Sequence, residues 1–119
     1  MPECINVRNL SRDNELLADR VRHCRRFWDR CAGLLIGLPL AAKEACWIIP
    51  CRAIHTFGMK YPIDAYFLNK ENTVVAVLNN FKHNQLSPIY LAAHSVLEFS
   101  SDPERNCRVG DRLFFGEAL

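Results

Sequence analysis

Ile63-Asp64-Ala65-Tyr66-Phe67-Leu68-Asn69-Lys70-Glu71-Asn72-Thr73-Val74-Val75-Ala76-Val77-Leu78 is the stretch whose reading decides the fold. Two runs rich in β-branched and aromatic residues, 63–68 and 73–78, flank the polar tetrapeptide 69–72. That arrangement predicts a β-hairpin. Downstream, 79–88 reads as a polar connection, 95–99 as a strand, 100–105 as a loop and 111–115 as a last strand after a turn at Gly110. Upstream, 45–49 and 54–59 are further strand candidates. Residues 4–10 place Ile5, Val7 and Leu10 among polar neighbours, as an opening strand at a sheet edge would, and such an edge could extend a sheet into a dimer.

Only the first third of the chain reads as helical. Ser11 can cap a turn with Asn14 or Glu15 near its third position, and Leu16, Leu17 and Val21 suit a helix over 11–26. A stronger candidate covers 27–37, where Phe27, Cys31, Leu34 and Leu35 share a face and Gly37 with Pro39 supplies the stop. Trp28 and Trp47 would fill the core beneath this cap. Short strands separated by turns, with helix confined to one end, predict a mainly β chain: a single-domain β-sandwich or partial barrel with a small N-terminal helical cap.

Composition narrows the function classes. At 119 residues and 50% hydrophobic content the chain supports one core and leaves little room for two domains. Fifteen basic and thirteen acidic side chains leave a formal charge of +2, too small to signal a nucleic-acid or membrane partner. The exception is a basic cluster of Arg20, Arg22, His23, Arg25, Arg26 and Arg30, which Asp13, Glu15, Asp19 and Asp29 intersperse as on a solvated helix face. Nucleic-acid binding there ranks last, because Phe27 and Trp28 alone could stack on bases. Neither a signal peptide nor an apolar run long enough for a bilayer is present, so the expected location is cytoplasmic and Cys4, Cys24, Cys31, Cys46, Cys51 and Cys107 are expected to be reduced.

The chemistry concentrates in Pro50-Cys51-Arg52-Ala53-Ile54-His55-Thr56-Phe57-Gly58-Met59-Lys60-Tyr61-Pro62-Ile63-Asp64. Cys46, Cys51 and His55 are zinc-ligand types, but Cys-x4-Cys-x3-His is not a common knuckle spacing and a fourth ligand would have to come from the distant Cys31, His94 or Cys107. No metal is assigned. A Cys51 and His55 nucleophile pair meets a geometric obstacle: four residues of strand separate them by roughly 13 Å, beyond proton transfer. The more economical reading lines a shallow site with His55, Met59, Lys60 and Asp64, where Gly58 lets a ligand approach the backbone. Lys60 and Asp64 could equally pair with each other or with Arg30 and Glu98, since buried charges need partners.

The chain resembles the family called domain of unknown function 192, a group of small, mostly bacterial proteins. The resemblance rests on Arg30-Cys31-Ala32-Gly33-Leu34-Leu35, on Pro50-Cys51 with Ile54-His55-Thr56-Phe57-Gly58-Met59, and on Pro62-Ile63-Asp64 with Phe67-Leu68. It continues through Ala93-His94-Ser95-Val96-Leu97-Glu98 to Gly110-Asp111-Arg112-Leu113. It implies a compact, mainly β fold related to jelly-roll sandwiches and implies no activity. Where relatives tend to carry Pro and Arg after the second hairpin strand, this chain has Phe81-Lys82-His83-Asn84-Gln85, so Lys82 or His83 would replace that Arg at a shared anion site.

The sequence therefore predicts a non-catalytic, cytoplasmic β domain that binds a small ligand or a protein through the face from His55 to Asp64. Its candidate ligand-binding residues are His55, Met59, Lys60, Asp64, Arg30 and Glu98, with no cofactor and no catalytic residue assigned. The alternative is an enzyme, hydrolase-like or metal-assisted, that draws on the same polar cluster.

Overall fold

The computed structural model describes residues 5–24, 41–56, 61–82 and 84–117. They form eight strands: β1 (Ile5–Asn9), β2 (Glu15–Ala18), β3 (Arg20–Cys24), β4 (Glu44–Ile48), β5 (Ile63–Leu68), β6 (Val74–Phe81), β7 (Ser95–Ser100) and β8 (Leu113–Glu117). Two sheets result, one of three strands ordered β2-β1-β8 and one of five ordered β3-β4-β7-β5-β6. Every pairing is antiparallel except β3 with β4. The chain is mainly β, neither sheet closes into a barrel, and no helix occurs among the described residues.

The helical cap expected over 11–26 is thus corrected for its described part. Asp13 (φ 55°) and Asn14 (φ 58°) occupy the left-handed region, which a helix cannot use and which Asp and Asn tolerate cheaply in turns. The chain reverses there into β2, and β3 follows after the single residue Asp19. The candidate helix over 27–37, with Trp28, lies outside the described residues. A second correction concerns β1, which is not at an edge: β2 pairs on one side and β8 on the other, so it offers no free strand for dimerisation.

The hairpin forms as expected. Asn69 Oδ1 accepts the N–H groups of Glu71 and Thr73, Asn69 N donates to Thr73 O, and Asn72 takes a positive φ of 62°. β6 runs on to Phe81, into what reads in the sequence as a polar connection. Between 54 and 59 the described part makes a single bridge, His55 with Leu86, in place of a strand; residues 57–60 lie outside the description.

All six residues of β5 are buried, because both faces of the five-stranded sheet are covered. Strand periodicity divides them between two cores. Ile63, Ala65 and Phe67 join Cys46, Ile48, Ile54 and Val96, while Tyr66 and Leu68 join Leu97, Phe99 and the three-stranded sheet's Val7, Leu17 and Leu113. Trp47 stacks on Phe115 of β8 with ring centroids 3.9 Å apart and donates its indole N–H to Ser95 Oγ, so it bridges the two sheets.

Phe99 sits edge-on to Tyr66 at 5.7 Å and carries the Arg105 guanidinium 4.0 Å above its ring. Phe99→Ala is expected to lower unfolding free energy by about 3–5 kcal/mol, measured by chemical denaturation.

Candidate functional site

Asp64 stands opposite an irregularity in β6. Between the pairs Ile63↔Phe81 and Ala65↔Leu78, β6 spends one residue more than β5. The bulge places Asn80 at a φ of 53° and turns its N–H onto Asp64 Oδ1 at 2.8 Å. The other carboxylate oxygen accepts Asp102 N at 3.0 Å and Arg105 Nη1 at 2.6 Å. Both side chains of this ion pair are nearly inaccessible, and Arg105 also donates to Ser100 O at 3.1 Å. Asp64 therefore holds β5, the β6 bulge and the loop after β7 together.

A second carboxylate anchors the far end of that loop. Asp111 Oδ2 accepts Asn9 Nδ2 at 2.9 Å, Arg12 Nε at 3.1 Å and Arg108 N at 2.9 Å. Desolvation pushes its carboxyl pKa up, but these hydrogen bonds and the Arg12 charge outweigh that and hold it below the usual range. Burial, reinforced by the Asp111 charge, pushes the neighbouring Cys107 thiol up to about 12 against the pull of Arg105 and Arg12. Cys107 is a buried packing residue, and a thiol with its pKa raised in this way carries little thiolate at neutral pH. Between the two anchors a polar groove of about 830 Å³ opens, lined by Asn79, Asn80 and residues 101–108.

The opposite face of the five-stranded sheet carries a different cluster. Register aligns Arg22 with Cys46, Cys46 with Glu98 and Glu98 with Ala65, a row that crosses β3, β4, β7 and β5 on one face. Glu98 and Cys46 are buried within it, and Ile54 from the segment beside His55 packs against the same core. Tyr61 reaches this cluster: burial first, then the charges of Glu98 and Cys46, raise its hydroxyl pKa, and Arg22 offsets part of the rise. A smaller cavity of about 370 Å³, lined by Pro50, Cys51, Arg52, Ala93 and His94, lies further along, where Cys51 Sγ donates to Ala53 O at 3.1 Å.

The six candidate residues are thus distributed unevenly. Asp64 aligns with Phe99 and Glu98 with Ala65, so the two carboxylates point to opposite faces of one sheet. His55 bridges Leu86, and it is its neighbour Ile54 that packs into the core on the Glu98 side. Arg30, Met59 and Lys60 lie outside the described residues. Asp64 takes Arg105 as its partner, forty-one positions away, where the sequence offers the cations Lys60 and Arg30. Sequence reasoning missed Arg105, Asn80, Asn9, Arg12, Arg22 and Tyr61 as members of these clusters, and Asp111 as an anchor of the loop. The available signal was an acid inside the apolar run 63–68, which demands a cation but does not say which. No group of three His, Cys, Asp or Glu side chains able to hold a metal occurs among the described residues, and no described helix is long and apolar enough to cross a membrane.

A model of the family DUF192, described as "Uncharacterized ACR", matches residues 8–115. No curated protein matches the chain. Two crystal structures share the fold. One, a protein of unknown function from Novosphingobium aromaticivorans DSM 12444, is 17% identical with a TM-score of 0.75, over 92% of this chain and 82% of that one. The other, named a "putative transcription regulator", from Sinorhizobium meliloti 1021, is also 17% identical with a TM-score of 0.75, over 97% of this chain and 96% of that one. At this identity the likeness concerns the fold alone.

Arg105→Met is expected to cost about 3–5 kcal/mol in chemical denaturation, because it strands a buried Asp64 carboxylate. The lowered pKa of Asp111 means that its contribution to stability is complete above the ordinary carboxylate value, about 4, and is lost as the pH falls through the folded-state value. The difference in melting temperature between wild type and Asp111→Asn should therefore shrink as the pH is taken from 6 to about 2 in thermal scans. Cys107 should react with a thiol reagent only after unfolding, read by mass spectrometry of the labelled peptide.

Proposed function

We propose that this chain, which belongs to the DUF192 family, is a non-catalytic binding module whose ligand face is the side of the five-stranded sheet that carries Glu98, Arg22, Tyr61 and the His55 segment. The observation that carries this reading is the burial of Glu98 in the middle of a sheet row between Cys46 and Ala65. A carboxylate is a costly occupant of such a position, since an apolar side chain of similar volume serves a sheet core equally well or better. Polar clusters that work against stability concentrate where a protein binds or reacts. Arg22 and Tyr61, which interact electrostatically in this cluster, give the face cationic and hydroxyl groups that suit a small polar ligand, and His55 joins the proposal from its place beside Ile54. Met59, Lys60 and Arg30 join this proposal as residues close in sequence to its elements.

A protein partner is the second form of the same reading. Leu86, Ile89 and Leu91 are 69%, 70% and 78% exposed on a segment that hydrogen-bonds along 52–55 through Ser87 N to Ile54 O and Tyr90 N to Arg52 O. Three large aliphatic side chains in water beside a polar cluster resemble the composition of an interaction surface.

The test is native mass spectrometry of the protein purified from its own cells under reducing, chelator-free conditions, for wild type, Glu98→Gln and Glu98→Leu. A stoichiometric small-molecule adduct on wild type that both variants lose, with Glu98→Leu at least as stable to denaturant as wild type, is the expected result. A bare wild-type mass, or an adduct that survives in Glu98→Leu, would overturn the reading.

A further inference from the structure

The groove beside Asp64 lies on the other face of the sheet from Glu98, and its walls carry a different chemistry. Its floor is rigid. Arg105 is clamped by Asp64 and Ser100 O and stacks over Phe99. It is among the residues that line the groove, with its side chain 4% exposed. The Arg105 side chain is nearly inaccessible and Asp64 cancels its charge, so the floor is fixed and neutral, without net attraction for an anion.

Along the walls, Asn80 and Asn106 each offer an amide that donates and accepts, and the left-handed bulge at Asn80 holds one of them in place. Asp102 and Glu104 outnumber Arg108 at the rim, which further disfavours phosphate and carboxylate ligands. A volume of about 830 Å³ falls within the range of small-molecule sites. Unlike most such sites, the lining is almost free of apolar side chains, Pro103 and Cys107 apart. Amides, a serine hydroxyl and carboxylates without net positive charge match one ligand chemistry: several hydroxyl groups on a neutral frame, each able to donate to a carboxylate and accept from an amide or from Arg108 at the rim.

We propose that the groove between the β6 bulge and residues 101–108 binds a neutral polyhydroxylated ligand, a sugar or cyclic polyol. The site is pre-formed, because Asp64 and Asp111 fix both ends of its wall in the fold itself.

The test is amide NMR of the 15N-labelled full chain titrated separately with glucose, N-acetylglucosamine, myo-inositol and inorganic phosphate. At least one of the three polyols should give saturable shifts confined to Asn79, Asn80 and 101–108, with amides of β3 and β4 unmoved. Phosphate should give none. Asn106→Ala, which leaves both carboxylate anchors in place, should weaken the responding polyol about tenfold with the spectrum otherwise unchanged. Absence of saturation by all three polyols, stronger saturation by phosphate, or unaltered affinity in Asn106→Ala would each overturn the proposal. Because the Glu98 face is read by a different experiment on different residues, failure here and failure there are separable.

Discussion

One buried ion pair, Asp64 with Arg105, sets the terms for much of the structure around it. A carboxylate inside a central strand is tolerable only if its lone pairs are satisfied, and Asn80 N, Asp102 N and Arg105 satisfy them. Asn80 belongs to the β6 bulge, and Asp102 and Arg105 to the loop after β7. Satisfying Asp64 therefore fixes the bulge in β6, the start of the loop after β7 and the position of Arg105 over Phe99. Asp111 repeats the device at the other end, tying that loop to Asn9 and Arg12 next to β1. A segment without regular secondary structure thereby becomes a defined wall.

The five-stranded sheet gives the molecule two chemically distinct sides. Its central strands are covered on both faces, so each apolar residue of β5 and β7 stabilises one of two cores, and the polar residues among them are the exceptions that need explanation. Asp64 is explained by structure: every donor it meets belongs to the frame. Glu98 lies buried on the other face, in a row with Arg22 and Cys46. The buried cysteines follow the same division: Cys46 packs in the core on the Glu98 side, and Cys107 packs in the other core, where burial and the Asp111 charge raise its thiol pKa.

How much of this was legible depends on the range of the interaction. The hairpin at 69–72 was readable because Asn69 and Asn72 act within five residues of each other. The turn at Gly110, with its φ of 95°, was readable for the same reason. The segment 11–24 was misread because Leu16, Leu17 and Val21 fit a helix and a pair of short strands equally well. The deciding fact was the left-handed backbone at Asp13 and Asn14, a conformation those residues permit but do not require. β1 looked like an edge because it opens the chain, yet β8, over a hundred residues later, covers its second side.

The sequence by itself determined the mainly β character, the strands from 63 to 78 and from 95 to 99, and the fact that Asp64 and Glu98 are charges in need of partners. Those properties follow from side-chain periodicity and local turn chemistry, which act over a few residues. Only the tertiary structure decided that Asp64 would meet Arg105, that Glu98 would share a row with Arg22, and that the two acids would face opposite sides. The physical reason is that strand pairing sets both register and neighbour. A shift of one residue exchanges the faces of a strand, and no local feature of either strand specifies which distant strand lies beside it.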